Sequence, residues 1–81
     1  MKVRIKLFAA ARELVGCNEL ELEVDDPAMI ADIRCALERA HPELQTIMRH
    51  ALWAIDAEYA DEQTLVSQHS DIALIPPVSG G

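Results

Sequence analysis

Two stretches near the start of the chain alternate between apolar and charged positions. In residues 2–8, Val3, Ile5 and Leu7 face one way and Lys2, Arg4, Lys6 and Phe8 the other. In residues 19–24, Leu20, Leu22 and Val24 alternate with Glu19, Glu21 and Glu23. A period of two predicts strands with one buried face. The charges also predict a register. An antiparallel pairing of Lys2 with Glu23, Arg4 with Glu21 and Lys6 with Glu19 sets Val3 against Leu22 and Ile5 against Leu20. Cross-strand charge pairs of this kind contribute about 0.2–1 kcal/mol each. Between the strands, residues 9–15 predict a short helical turn ended by Gly16.

Beyond residue 25 the period changes. Asp26-Pro27 predicts a helix start, with Asp26 as N-cap and Pro27 at the first helical position. Ile30, Ile33, Leu37 and Ala40 follow at spacings of three and four and form one apolar stripe, with Cys35 on the opposite side. Pro42 stops this helix. Residues 43–50 predict a second short helix with Leu44, Ile47 and Met48 turned inward, and 52–55 a short buried strand. Asp56-Ala57-Glu58 reads as a turn and 61–70 as a polar loop anchored by Leu65. Residues 71–75 predict the last strand, with Ile72 and Leu74 inward and Ala73 and Ile75 outward.

The predicted order is two strands, a helix and two strands, an α+β domain over residues 1–75 with an extended, flexible tail over 76–81. A length of 81 residues leaves room for one domain. A composition 51% hydrophobic and 26% charged argues against disorder. Fourteen acids against seven bases give a charge of −7, which argues against a nucleic-acid binder and fits a basic protein partner. No apolar run approaches the roughly 18 residues of a membrane span. The alternating N-terminus lacks the continuous apolar stretch of a signal peptide. A cytoplasmic protein with reduced Cys17 and Cys35 is therefore expected. Neither the two cysteines nor His41, His50 and His69 stand at metal-ligand spacing, so no metal is expected. So small a chain leaves little space for a complete enzyme pocket, which favours a carrier, subunit or binding module.

The C-terminus carries the chemistry. Pro76 and Pro77 cannot continue a sheet ladder, so the chain is expected to leave the body there. Six extended residues reach at most about 20 Å, enough to enter a partner's active site. Gly80 and Gly81 have no side chains, so the terminal carboxylate can pass a narrow channel.

The segment Leu7-Phe8-Ala9-Ala10-Ala11-Arg12-Glu13-Leu14-Val15-Gly16 resembles the opening motif of molybdopterin synthase small subunits. Ile75-Pro76-Pro77-Val78-Ser79-Gly80-Gly81 resembles their ending. The resemblance spans the chain and is most specific at both ends. It implies a ubiquitin-like β-grasp fold, with a mixed sheet packed on one main helix, and a terminal Gly-Gly sulfur carrier. Two turns depart from the family pattern: Ile55-Asp56 where Asn often follows the apolar pair, and His69-Ser70-Asp71 where a Gly-Asp turn is common.

The resemblance further implies that a ubiquitin-activator-like adenylyltransferase uses ATP to adenylate the carboxylate of Gly81. A sulfur donor enzyme then displaces AMP and leaves a thiocarboxylate. Pro76, Pro77, Val78, Ser79 and Gly80 carry it into the large catalytic subunit of molybdopterin synthase. There the sulfur is transferred to a cyclic pyranopterin precursor, building the dithiolene. The carrier is a sulfur-donating subunit with no bound cofactor and no general base of its own.

The strand pattern adds a docking surface. Phe8 and Ile75 lie on outward faces of strands that neighbour each other in a β-grasp sheet, and so form an apolar patch at the root of the tail. Tyr59 is expected to join it, with Arg12 at the rim. The competing reading is that the 9–15 turn covers Phe8. Three other functions stay open: a thiamine-type sulfur carrier, a ubiquitin-like protein modifier, and an interaction domain that does not use its C-terminus.

Overall fold

The fold was obtained as a computed structural model, which describes residues 1–77. Strand β1 (Lys2–Leu7) is followed by helix α1 (Ala9–Val15) and strand β2 (Glu19–Glu23). Next come β3 (Ala28–Met29), α2 (Ile30–Ala40), a 3-10 turn (Pro42–Leu44) and α3 (Gln45–Met48). The chain then forms β4 (Leu52–Ile55), β5 (Glu58–Ala60), β6 (Leu65–Val66) and β7 (Ile72–Ile75).

Alternation decides β1 and β2. Val3, Ile5 and Leu7 are buried while the charged residues between them are exposed. The observed register matches the expected one at every position, Lys2 with Glu23 through Lys6 with Glu19. The ion pairs do not follow that register. Arg4 reaches diagonally to Glu19 at 3.9 Å, and Lys6 turns to Asp71 at 3.3 Å. Backbone register is set by the buried Val3, Ile5 and Leu7, and the exposed charges take whichever partner is nearest.

The main sheet has five strands in the order β2-β1-β7-β4-β5. The β1–β7 pair is parallel, and the other pairings are antiparallel. Ile30, Ile33 and Leu37 of α2 share one core with Val3, Ile5, Leu7, Trp53, Ile72 and Leu74. Each fully buried Ile or Leu contributes about 1.5–3 kcal/mol. Leu44 and Met48 are buried and Ile47 half-buried, as the second short helix requires.

Several local expectations are corrected. The main helix begins at Ile30, not after Asp26-Pro27. Its first free N–H groups are capped from elsewhere in the chain: Ile30 donates to the Thr64 carbonyl at 3.0 Å and Ala31 to the Glu62 carbonyl at 2.9 Å. The Met29 N–H donates to the Asp32 carboxylate at 2.8 Å. Ala28 and Met29 instead pair with Val66 and Leu65 in a separate two-stranded sheet. Residues 61–70 are therefore not all loop, and the buried anchor is Val66, with Leu65 66% exposed. Ala40 lies exposed at the helix end, so the buried stripe stops at Leu37.

Arg34 on α2 ties the helix to the capping segment, donating to Glu62 at 2.8 Å and pairing with Glu38 at 3.4 Å. The Glu62 hydrogen bond holds its guanidinium pKa above the ordinary value. Cys17 is half-buried and Cys35 exposed, and both are free thiols.

Candidate functional site

The outer face of the sheet follows from the same alternation. Residues directly opposite on paired strands share a face. Ala73 of β7 stands opposite Ala54 of β4 and beside Lys6 of β1, and Ala54 stands opposite Tyr59 of β5. The small alanine side chains form the floor of a groove of about 340 Å³. Phe8 and Lys6 line it from the β1 side, and Tyr59 and Ala57 from the hairpin side. Ile75 stands at the end of the last strand.

Phe8, Tyr59 and Ile75 thus line one groove. Phe8 is 44% exposed and Tyr59 76%, so α1 leaves a large part of the Phe8 ring open to solvent. Phe8 has extended backbone, and Ala9 turns into the left-handed region at φ 49°, which starts α1. Gly16 ends that helix at φ 87°, donating to the Arg12 carbonyl at 2.8 Å. Arg12 lines a second, adjoining depression with Phe8, Lys6 and Asn18, on the far side of Phe8 from Tyr59.

Leu52 belongs to a strand whose sequence predicts burial. It is 52% exposed and stands opposite Ile75 in the ladder, so it extends the apolar face across β7 to β4. Its alternation with the buried Trp53 was the available signal. The sequence predicts only a turn where the structure forms the hairpin that carries Tyr59. Its two-residue loop, Asp56-Ala57, joins Ile55 to Glu58, and both loop residues have positive φ.

At the root of the tail, Pro76 is buried and Pro77 exposed. Val78, Ser79, Gly80 and Gly81 lie outside the described residues. Among the described residues no cluster of three or more His, Cys, Asp or Glu side chains is placed to hold a metal ion, and no helix is long and apolar enough to cross a membrane.

A mixed sheet with a central parallel pair, crossed by one main helix, is the ubiquitin-like β-grasp. The crystal structure of SAMP1 from Haloferax volcanii shares it over 100% of both chains, with a TM-score of 0.89 at 30% identity. The sequence profile of the ThiS family matches residues 5–81, and the chain belongs to that family. It is 32% identical to the molybdopterin synthase sulfur carrier subunit of Chlamydomonas reinhardtii, over 100% of each chain. It is also 32% identical to small archaeal modifier protein 1 of Haloferax volcanii, covering 94% of this chain and 97% of the relative. The protein-protein complex of subunits 1 and 2 of molybdopterin-converting factor from Helicobacter pylori holds a chain of the same fold. That chain matches with a TM-score of 0.72 at 20% identity, over 100% of both chains.

Proposed function

We propose that this chain is the sulfur-carrying small subunit of a molybdopterin synthase. The reading rests chiefly on full-length likeness to a curated carrier subunit, at 32% identity over 100% of each chain. The apolar groove beside the last strand supports it, because Ile75, from which the tail departs, lines that groove.

In this reading Gly81 carries the reaction. Its carboxylate attacks the α-phosphorus of ATP in the pocket of a ubiquitin-activator-like adenylyltransferase, releasing pyrophosphate. The acyl-adenylate turns an inert carboxylate into an electrophile. A sulfur donor enzyme then displaces AMP and leaves the thiocarboxylate, the nucleophile for the pterin precursor. The acid–base groups and substrate pocket belong to the large subunit. This chain contributes the sulfur, the Pro76-Pro77-Val78-Ser79-Gly80 tail that carries Gly81, and a docking face built from Phe8, Tyr59 and Ile75 with Arg12 at its edge. The chain works in the cytoplasm and binds no cofactor itself; ATP is consumed by the activating enzyme.

Likeness to the archaeal modifier protein supports a second reading, in which the activated Gly81 is joined to lysines of other proteins. A strain lacking its own molybdopterin carrier separates the readings. Expression of this chain is expected to restore molybdoenzyme activity, and deletion of Gly81 to abolish that rescue. High-mass conjugates without rescue favour the modifier. Rescue of thiamine synthesis in a second strain, one lacking its thiamine carrier, with no molybdoenzyme rescue in the first favours the other sulfur pathway.

A further inference from the structure

Among the described residues, the non-glycine residues with positive φ are Ala9 at 49°, Asp56 at 52° and Ala57 at 69°. Only one of the three lines the docking groove, and the other two adjoin residues that line it. Ala9 follows Phe8, Ala57 lines the groove, and Asp56 is bonded to Asp71, which also lines it. An aspartate tolerates the left-handed region because its short polar side chain bonds locally. Ala57 has no such excuse. It occupies the second central position of a two-residue hairpin loop, where positive φ at both residues favours Gly.

The surrounding structure holds that turn in place. The Asp56 N–H donates to the Asp71 carbonyl at 2.9 Å, and the Asp71 N–H donates to the Asp56 carboxylate at 2.9 Å. These reciprocal bonds fix the hairpin to the start of β7, and strained backbone persists where its surroundings over-determine it. The Ala57 methyl group does nothing for the core, being exposed and outside the buried cluster. What it does is line the groove together with Tyr59 and the Lys6–Asp71 pair.

We propose that Ala57 is a docking contact for the large synthase subunit, its left-handed backbone presenting a methyl group to the partner at the expense of fold stability. The inference rests on the sulfur-carrier reading and on docking through this groove. The occupant follows from the groove: Ala57 stands at the end of β7 away from the tail, but lines the same groove as Phe8, Tyr59 and Ile75, so a large subunit docked along that groove from the tail end reaches Ala57.

The test uses the full chain and the large subunit from the same organism, with binding measured by calorimetry and melting by circular dichroism. Ala57→Gly relieves the backbone strain and removes the methyl group. It is expected to melt at a higher temperature than the parent yet bind about fourfold more weakly, the loss of one buried methyl group. Ala57→Ser keeps a Cβ and is expected to bind within about twofold of the parent. Phe8→Ala serves as the reference for docking itself. If Phe8→Ala weakens binding and Ala57→Gly binds like the parent, the role of Ala57 is overturned while the docking face stands. Ala57→Gly melting below the parent overturns the strain argument and the proposal with it. If Phe8→Ala also binds like the parent, the docking reading fails and the proposal fails with it.

Discussion

Phe8→Ala removes the aromatic wall of the groove, and its effect can be worked from exposure. A phenylalanine offers about 200 Å² of burial. With Phe8 44% exposed, about 90 Å² remains for a partner to cover. At about 25 cal/mol per Å² this corresponds to about 2 kcal/mol, or a roughly 30-fold rise in Kd for the large subunit. That magnitude is the scale of an interface hot spot. The fold should survive, because Phe8 is not among the buried residues of the core and its truncation costs less than the about 2–5 kcal/mol of a core deletion. Titration calorimetry with the large subunit reads the first effect and a thermal melt the second. A Kd within threefold of the parent, with the melt unchanged, would refute docking through this face. Loss of the cooperative melt would show that Phe8 is a core residue.

Other consequences concern the scaffold. Leu37→Ala deletes a fully buried side chain between helix and sheet and is expected to cost about 2–5 kcal/mol, read as a lower urea midpoint at unchanged slope. Gly16→Ala meets no atom within 4 Å of the new Cβ, so its expected cost of about 1–2 kcal/mol comes from the left-handed backbone alone. A loss below about 0.3 kcal/mol would contradict that assignment. Arg34→Ala breaks the pairs to Glu62 and Glu38 on a partly exposed surface and should cost at most about 1 kcal/mol, shrinking in high salt.

The sequence made the β1–β2 register legible because two independent patterns agreed on it. Val3, Ile5 and Leu7 fix the face, and the charge pattern points to the same alignment even though Arg4 and Lys6 form their ion pairs elsewhere. Phe8 and Ile75 could be placed together for a similar reason, since alternation along each strand gives its outward face. Long-range effects stayed hidden. The start of α2 at Ile30 depends on carbonyls of Glu62 and Thr64, more than thirty residues away in sequence. Asp26-Pro27 imitates a local cap signal that the fold does not use. Strands β3 and β6 have two residues each, too few to show a period. The β4–β5 hairpin was read as a bare turn because Ala57 stands where a glycine would have announced it. The same alanine hides the hairpin in the sequence and strains it in the structure.

Gly81 is the centre of the functional account, and its chemistry can be weighed directly. The full chain is incubated with ATP, the activating enzyme and a sulfur donor, and the intact mass of the chain and of its C-terminal fragment is measured. The expected result is a gain equal to the exchange of one oxygen for one sulfur, confined to the fragment that ends in Gly81 and absent without ATP. An unchanged mass, under conditions that charge a known carrier, would contradict it.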